Sequence, residues 1–138
     1  EIGAVFVDYL QLLKPPHRYP GQREREVGEL SAGLLAIAKA ENVAVVAMAQ
    51  LNRQCETRGD KRPLMSDVRE SGTIEQDASV VMLLYRDDVY VKESPTKGQV
   101  EVIIAKNRLG KTGTAHLRFD RTCQRIADLE YRYGSDDE

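Results

Sequence analysis

Short apolar runs alternate with polar stretches along the chain and predict strands and a helix in a regular order. The runs at residues 2–7, 43–49 and 79–85 are rich in aliphatic side chains, which is typical of strands buried on both faces of a sheet. Between the first two runs, residues 22–40 repeat apolar side chains at helical spacing and predict an amphipathic helix. Its apolar stripe consists of Val27, Leu30, Leu34, Ile37 and Ala38.

The order of these elements predicts an α/β fold with a mainly parallel sheet flanked by helices. A strand, a helix and a second strand form a right-handed crossover, in which the two strands run parallel. Residues 99–106 and 114–120 flank a turn at residues 110–113 and predict a C-terminal antiparallel β-hairpin. In such sheets, ligands bind beyond the carboxyl ends of the parallel strands. Asp8 and Gln50 follow the first two predicted strands, so we expect a functional site there.

Composition and charge narrow the class of protein. The chain of 138 residues is 41% hydrophobic and 30% charged, which is ordinary for a globular domain. Its net charge of −2 does not by itself indicate binding to nucleic acid, although basic residues are concentrated in residues 104–125. No apolar stretch approaches the ~18–20 residues of a membrane span. Cys55 and Cys123 fit no metal-ligand pattern, so we expect a cytoplasmic protein with two free thiols and no membrane association.

Four polar positions could carry chemistry, and each also has a simpler structural interpretation. Asp8, at a strand end, could order Mg²⁺ through water in a nucleotide site, or it could cap a turn. Gln50 could sense a γ-phosphate or satisfy loop backbone groups. Lys106 and Arg108 lie two residues apart, so on a strand they face the same way about 7 Å apart. They could grip one polyphosphate, or they could form a solvated hairpin edge.

The long polar stretch at residues 51–73 is the other candidate functional region. A structureless span of that length in a compact domain is usually functional or mobile. Within it, residues 69–72 could place Arg69 and backbone N–H groups against a nucleic-acid phosphate, or they could simply begin a helix. No aromatic residue lies nearby, so stacked-base recognition is not expected and contact with the backbone is the mode that this segment suits.

Four segments together resemble the motifs of the DnaB family of replicative DNA helicases. Residues 7–12, VDYLQL, resemble the Walker B motif of that family, and residues 50–53, QLNR, resemble its third helicase motif. Residues 62–78, RPLMSDVRESGTIEQDA, resemble its most recognisable stretch. Residues 104–113 resemble its arginine-finger segment. The order and spacing of these motifs agree over residues 1–119, which is most of the chain.

This resemblance implies a RecA-like fold that works as a homo-hexameric ring around single-stranded DNA and uses ATP with Mg²⁺. Asp8 would hold the Mg²⁺–ATP, and Gln50 would couple the state of the γ-phosphate to the DNA loops. Lys106 and Arg108 would reach the nucleotide of a neighbouring subunit. Arg86 is a further candidate for the nucleotide or the subunit interface.

The resemblance also assigns a DNA-binding loop, partners and domain limits. Arg69, Glu70 and Gly72 would contact the DNA backbone. Primase and a helicase loader would be partners of the ring. Residues 1–130 would form the C-terminal part of a RecA-like motor domain, followed by an acidic, disordered tail at residues 131–138.

The chain departs from the family pattern in one large respect. It contains no G-x-x-x-x-G-K-[ST] phosphate loop, and the glutamate that the family uses to activate water is also missing. In RecA-like sheets the phosphate-loop strand lies between the strands that correspond to residues 43–49 and 79–85. We therefore expect an incomplete sheet that exposes apolar strands, and an upstream half that supplies the missing segment. A split gene, an intein or a truncation would each explain the missing half.

Two alternatives to an ATP-dependent helicase motor remain open at this point. A fragment of a RecA/RadA-like recombinase would share the fold, but residues 69–78 argue against it. A non-catalytic remnant that binds DNA or another helicase subunit would explain the absence of a phosphate loop. For the helicase motor, we expect the isolated chain to be inactive without its upstream half, and a remnant would restore no ATPase even with that half.

Overall fold

The computed structural model describes residues 2–68 and 71–129, and its strands fall into two separate sheets. The first sheet pairs β1 (Ala4–Val7) with β2 (Ala44–Ala47). The second sheet contains β3 (Val80–Tyr85), β4 (Gln99–Asn107), β5 (Gly113–Asp120) and β6 (Arg125–Asp128), in that order. The two α-helices are α1 (Arg23–Ala40) and α2 (Ser71–Asp77).

Strand β1, helix α1 and strand β2 form the predicted crossover unit. The two strands run parallel, with Ala4 paired to Ala44 and Val7 paired to Ala47. Helix α1 has acidic residues in its first turn and Lys39 in its last turn, a distribution that complements the helix dipole. The bounds of α1 confirm the helix predicted at residues 22–40.

The core of this unit lies between α1 and the chain that follows β1. Leu10, Val27 and Leu30 are buried there. Three partly buried side chains pack against them: Leu13, Leu34 and Ile74. The predicted apolar stripe of α1 is thus confirmed in its first half, whereas Ile37 near the end of the helix is 49% exposed.

The prediction that the strands are buried on both faces is wrong for this chain. Phe6 in β1 is 69% exposed, and Met82 and Leu84 in β3 are 56% and 59% exposed. The cause is the separation of the sheets, because β2 and β3 are not hydrogen-bonded to each other. This separation is the gap that the sequence predicted, and the exposed apolar strands are its consequence.

Among the described strands only β1 and β2 pair in parallel, and the antiparallel part is larger than the predicted hairpin. Strands β4 and β5 form that hairpin, with β3 pairing on one side and β6 on the other. Strand β6 was not predicted, because it depends on the turn before it. In that turn Asp120 Oδ1 accepts hydrogen bonds from Thr122 N at 2.9 Å and Thr122 Oγ1 at 2.6 Å, and Gln124 has a φ of +53°.

The polar stretch that was predicted to lack structure is ordered where it is described. It contains two 3-10 helices, Arg53–Thr57 and Met65–Asp67, and an antiparallel bridge between Leu51 and Val68 closes it. Sequence periodicity could not reveal this order, because it includes contacts between positions far apart in the chain, such as the bridge between Leu51 and Val68. Cys55 is buried in the first of these 3-10 helices and, like Cys123, is a free thiol. None of the helices described is long and apolar enough to cross a membrane.

Candidate functional site

Asp8 and Gln50 lie beyond the ends of paired parallel strands, as the sequence predicted. Val7 is paired with Ala47, and the carbonyl oxygen of Val7 accepts a hydrogen bond from Met48 N at 2.9 Å. Both Asp8 and Gln50 are exposed at this edge. Because parallel strands deliver their following residues to the same side, the carboxylate and the amide both follow the carboxyl edge of this sheet.

Gln11 links the segment after β1 to Gln50, and it was not among the predicted site residues. Its Oε1 accepts a hydrogen bond from Gln50 N at 3.3 Å, and its carbonyl oxygen accepts one from Arg23 Nη2 at 2.7 Å. Its Nε2 is buried and meets no hydrogen-bond partner among the described residues. The signal that could have identified Gln11 is its place within residues 7–12, three residues after Asp8.

The segment after Gln50 lines a cavity of about 320 Å³, formed by Gln50, Leu51, Asn52 and Arg53. Asn52 caps the 3-10 helix that follows, because its Oδ1 accepts a hydrogen bond from Gln54 N at 3.1 Å. The backbone N–H of Asn52 donates to the carbonyl oxygen of Asp67 at 2.7 Å. The motif at residues 50–53 is therefore hydrogen-bonded through its main chain to Asp67, near the end of the polar stretch at residues 51–73.

Asp8 is the one candidate metal ligand that the sequence predicted. Within residues 2–68 and 71–129, no group of three His, Cys, Asp or Glu side chains could enclose a metal ion. Mg²⁺ needs no such enclosure, since it keeps several waters and binds through one or two carboxylates together with substrate phosphates. An exposed carboxylate at a strand end fits that mode of binding.

Lys106 and Arg108 both contact the C-terminal end of helix α2. Lys106 Nζ donates to the carbonyl oxygen of Glu75, and Arg108 Nη2 donates to that of Gln76 at 2.8 Å. The last carbonyls of a helix lack partners within the helix and attract cations. Both side chains thus reach the same end of α2, although Arg108 lies one residue beyond β4 and not on the strand as predicted. Lys106 belongs to the antiparallel sheet and Arg108 directly follows its strand β4, whereas Asp8 and Gln50 follow strands of the parallel sheet.

Arg86 is held in an ionic cluster at the end of β3. Its Nη2 lies 3.1 Å from Asp88 Oδ1, and its guanidinium lies 4.1 Å from the centre of the Phe119 ring. Asp88 also pairs with Arg121 at 2.8 Å and accepts a hydrogen bond from Gly98 N at 3.0 Å. Burial raises the pKa of Asp88, but the hydrogen bonds from Gly98 and Arg86 outweigh burial and leave that pKa below its ordinary value. The structure thus places Arg86 in a structural contact, and its role at a nucleotide stays a prediction.

Two of the three residues predicted to bind DNA, Arg69 and Glu70, lie outside the described residues. The third, Gly72, is exposed in the first turn of α2. A Cβ atom added to Gly72 would lie 3.2 Å from Glu24 Oε1, so the backbone of α2 approaches α1 closely at this point. The first turn of α2, which carries Gly72, is therefore packed against α1.

The turn between β4 and β5 carries Gly110-Lys111-Thr112, which matches the end of a phosphate-loop pattern. Ala105 stands where the first glycine of that pattern would be. A phosphate loop joins a strand to the N-terminus of a helix, whose N–H groups hold the phosphates. Here the turn joins two antiparallel strands, so the backbone arrangement of a phosphate loop is not formed.

Comparisons with known proteins agree on one family. Residues 1–128 match the family model described as the DnaB-like helicase C terminal domain. The replicative DNA helicase DnaB of Geobacillus stearothermophilus is 48% identical over 132 residues, which are 96% of this chain and 29% of that protein. The replicative DNA helicase DnaB of Haemophilus influenzae is 47% identical over 135 residues, covering 95% of this chain and 29% of that protein.

Two solved structures are also similar along most of the chain. One, described as an ATPase domain, has a TM-score of 0.87 at 47% identity and is matched over 92% of this chain and 44% of its own length. A DnaB-like replicative helicase, solved in a study of its interactions with primase, also has a TM-score of 0.87 at 47% identity, with 92% of this chain and 30% of that chain covered. These similarities confirm the predicted α/β, RecA-like fold.

The family assignment follows from the extent of these matches. The chain spans about 29% of the length of the curated relatives it matches, while almost all of the chain is covered. The chain belongs to the DnaB-like helicase family, in which it matches the C-terminal domain.

Proposed function

We propose that this chain is part of a ring-shaped, ATP-dependent replicative helicase that unwinds duplex DNA by moving along single-stranded DNA. The observation that carries this proposal is the shared edge at which Asp8 and Gln50 follow paired parallel strands. An acidic group for a metal and an amide for a phosphate at such an edge suit a nucleotide-driven motor. Membership in the DnaB-like helicase family supports the same conclusion.

In this function Asp8 would hold Mg²⁺ through water, and Gln50 would respond to the terminal phosphate of ATP. Bound ATP supplies the phosphoryl group whose transfer to water drives the motor. Gln11 would position Gln50, since its side chain accepts the hydrogen bond from Gln50 N at 3.3 Å. The phosphate loop and the catalytic glutamate would come from an upstream half of the motor. ATP hydrolysis therefore belongs to a protein in which this chain is joined to a phosphate-loop segment, here called the complete motor.

Lys106 and Arg108 would act on the nucleotide of a neighbouring subunit in a homo-hexamer. In the single chain both donate to carbonyl oxygens of α2, which are neutral acceptors. A phosphate group is a stronger acceptor for a cation than a carbonyl, and the planar fork of Arg108 suits charge developing on a transferring phosphoryl group. Assembly of the ring would replace the contacts with α2 by contacts with phosphate.

Single-stranded DNA would pass the segment at residues 69–72, where Arg69, Glu70 and Gly72 would contact its backbone. Such contacts hold DNA without reading its sequence, as a replicative helicase requires. Primase and a helicase loader would be partners of the ring, which would work in the cytoplasm.

The proposal is tested by unwinding of a forked DNA duplex. The complete motor is expected to separate the strands only with ATP and Mg²⁺, and Asp8→Asn is expected to abolish unwinding while DNA binding persists. Strand exchange between homologous duplexes without unwinding would identify a recombinase instead. DNA binding without any ATPase in the complete motor would identify a non-catalytic remnant.

A further inference from the structure

Arg58 and Asp67 form a bidentate ion pair inside the segment that joins the third motif to the predicted DNA segment. Arg58 Nη1 lies 3.0 Å from Asp67 Oδ1, and Nη2 lies 2.5 Å from Oδ2. Nη2 also donates to the carbonyl oxygen of Arg62 at 2.9 Å. Two parallel hydrogen bonds fix the relative orientation of the side chains, which a single point charge cannot do.

The carboxylate of this pair is buried and remains charged. The Asp67 side chain is 9% exposed, and its Oδ2 also accepts a hydrogen bond from Leu64 N at 2.7 Å. Burial raises the pKa of Asp67, but the hydrogen bonds from Arg58 and Leu64 outweigh burial and leave that pKa below its ordinary value. The ion pair is therefore intact at neutral pH.

The pair lies at the base of a closed loop, between the two predicted functional motifs. Leu51 and Val68 form the antiparallel bridge that closes the loop. In the sequence, Gln50 directly precedes Leu51 and Arg69 directly follows Val68. Asp67 is the neighbour of Val68 on the other side. A displacement of Asp67 would therefore shift the point from which the predicted DNA segment begins, relative to the strand end that carries Gln50.

We propose that Arg58 and Asp67 are positioning residues that hold Val68, the residue before the DNA-contacting segment, against Leu51, the residue after Gln50. This inference rests on the proposed function, because it takes Arg69 to be a ligand of the DNA backbone. Arg58 directs its guanidinium fork to Asp67, so it serves DNA binding without contacting DNA. A segment that is fixed before binding loses less conformational freedom when DNA binds, which raises affinity.

The test measures the affinity of the complete motor for oligo(dT) and the dependence of that affinity on salt. The variants are Asp67→Asn, Arg58→Gln and Arg58→Lys, with Arg69→Ala for comparison. The ATPase rate without DNA and the circular dichroism spectrum establish that each variant is folded. Both measurements are expected to match those of the parent protein within about twofold, because neither residue belongs to the nucleotide site.

The variants of the pair are expected to weaken oligo(dT) binding about tenfold and to reduce stimulation of the ATPase by DNA. The slope of log affinity against log salt should equal that of the parent protein, since no phosphate contact is removed. Arg58→Lys keeps the charge but lacks the fork, so it should not restore affinity. Arg69→Ala should reduce the slope by about 0.7, the value for one contact to a single strand.

A second ion pair in the same loop provides the matched control. Arg62 Nε and Nη2 each lie 2.7 Å from the carboxylate of Glu101, whose side chain is 7% exposed. This pair ties the loop to β4 and is not adjacent to the DNA segment. Arg62→Gln should leave oligo(dT) affinity within about twofold of the parent value.

Each other outcome overturns the inference in a recognisable way. Equal loss of affinity in Arg62→Gln would mean general loosening of the loop. A smaller salt slope in Arg58→Gln would make Arg58 itself a phosphate ligand. Unchanged affinity in Asp67→Asn would remove the positioning role alone and leave the proposed function standing. If the parent motor did not bind oligo(dT), the proposed function would fail first and the inference with it.

Discussion

Arg108 donates a hydrogen bond from Nη2 to the carbonyl oxygen of Gln76 at 2.8 Å, although the two residues are 32 positions apart. The side chain predicted to act across a subunit interface thus contacts the end of α2 in its own chain. Helix α2 begins within the predicted DNA segment, because Gly72 lies in its first turn. Arg108 therefore contacts the same helix that carries Gly72 of the predicted DNA segment. Among the described contacts its partner is a neutral carbonyl, so ring assembly would not have to break an ion pair of Arg108.

Arg108→Ala in the complete motor is expected to reduce ATPase activity by roughly 10³–10⁵-fold, the range for arginine fingers. Ground-state ATP binding should change far less, because the contact matters most in the transition state. Arg108→Lys should rescue poorly, since a point charge lacks the bidentate fork. Steady-state ATPase rates and equilibrium nucleotide binding check both parts.

Mixing two kinds of defective subunit tests whether Arg108 acts on the nucleotide of a neighbouring subunit or on that of its own subunit. Rings that combine Arg108→Ala subunits with subunits defective in their phosphate loop should regain some ATPase activity. The active interfaces would be those at which an intact Arg108 of one subunit faces an intact phosphate loop of the other. A finger that acts within its own subunit would give no recovery. Unchanged ATP turnover of Arg108→Ala in an assembled ring would mean that Arg108 lies on a solvated hairpin edge and takes no part in catalysis.

The isolated chain is expected neither to bind ATP tightly nor to hydrolyse it. A phosphate loop supplies the N–H groups and the lysine that hold the β- and γ-phosphates, and the turn carrying Lys111 joins two strands instead. Isothermal titration calorimetry of the pure chain checks this. Micromolar affinity that disappears in Lys111→Ala would show that the turn binds phosphate after all.

Gly28→Ala is expected to destabilise the contact between α1 and α2 by about 1–3 kcal/mol, the range for overpacking. A Cβ atom at Gly28 would lie 2.9 Å from Thr73 Oγ1. Thermal unfolding of the complete motor measures the change. Gly33→Ala is the matched control in the same helix, because nothing lies within 4 Å of its added Cβ. It should stabilise the protein by about 0.5–1 kcal/mol, the helix preference for alanine.

A rescue experiment identifies the cause of the Gly28→Ala effect. Thr73→Ala removes Oγ1 at 2.9 Å and Cγ2 at 3.4 Å, and leaves the Thr73 Cβ at 3.3 Å from the added methyl group. The double variant should therefore be more stable than Gly28→Ala alone. Equal destabilisation by Gly28→Ala and Gly33→Ala, with no rescue, would contradict the close approach of the helices.

The sequence was sufficient to predict those elements that depend on residues close together in the chain. Helix α1 follows from apolar spacing, and the common edge of Asp8 and Gln50 follows from the order of strand, helix and strand. The contacts of Arg58 with Asp67 and of Arg108 with Gln76 could not be predicted, because they join side chains to groups that only the folded chain brings together. Exposed apolar strands were expected from the missing phosphate-loop strand, but the sequence could not show which side chains, such as Phe6, would be exposed, since burial depends on what packs against a residue and not on the residue itself.

Asp88→Asn is expected to cost stability at neutral pH and progressively less in acid. Asp88 has a side chain that is 2% exposed and is paired with Arg86 and Arg121. Its pKa is below the ordinary value in the folded protein, because hydrogen bonds from Gly98 and Arg86 overcome the opposing effect of burial. A lowered pKa means that the stabilisation is complete above the unfolded value, about 3.9, and is lost as the pH falls through the folded one.

Thermal unfolding of Asp88→Asn and the parent protein between pH 7 and pH 3 measures this dependence. The variant keeps an oxygen acceptor but loses the charge, so at pH 7 it should be less stable by about 1–3 kcal/mol. The difference should shrink toward pH 3 as the parent carboxylate is protonated. Arg121→Gln is the control, because Arg121 is 51% exposed and its loss should cost less than about 1 kcal/mol. Parallel curves over the whole pH range would mean that the Asp88 charge does not stabilise the fold.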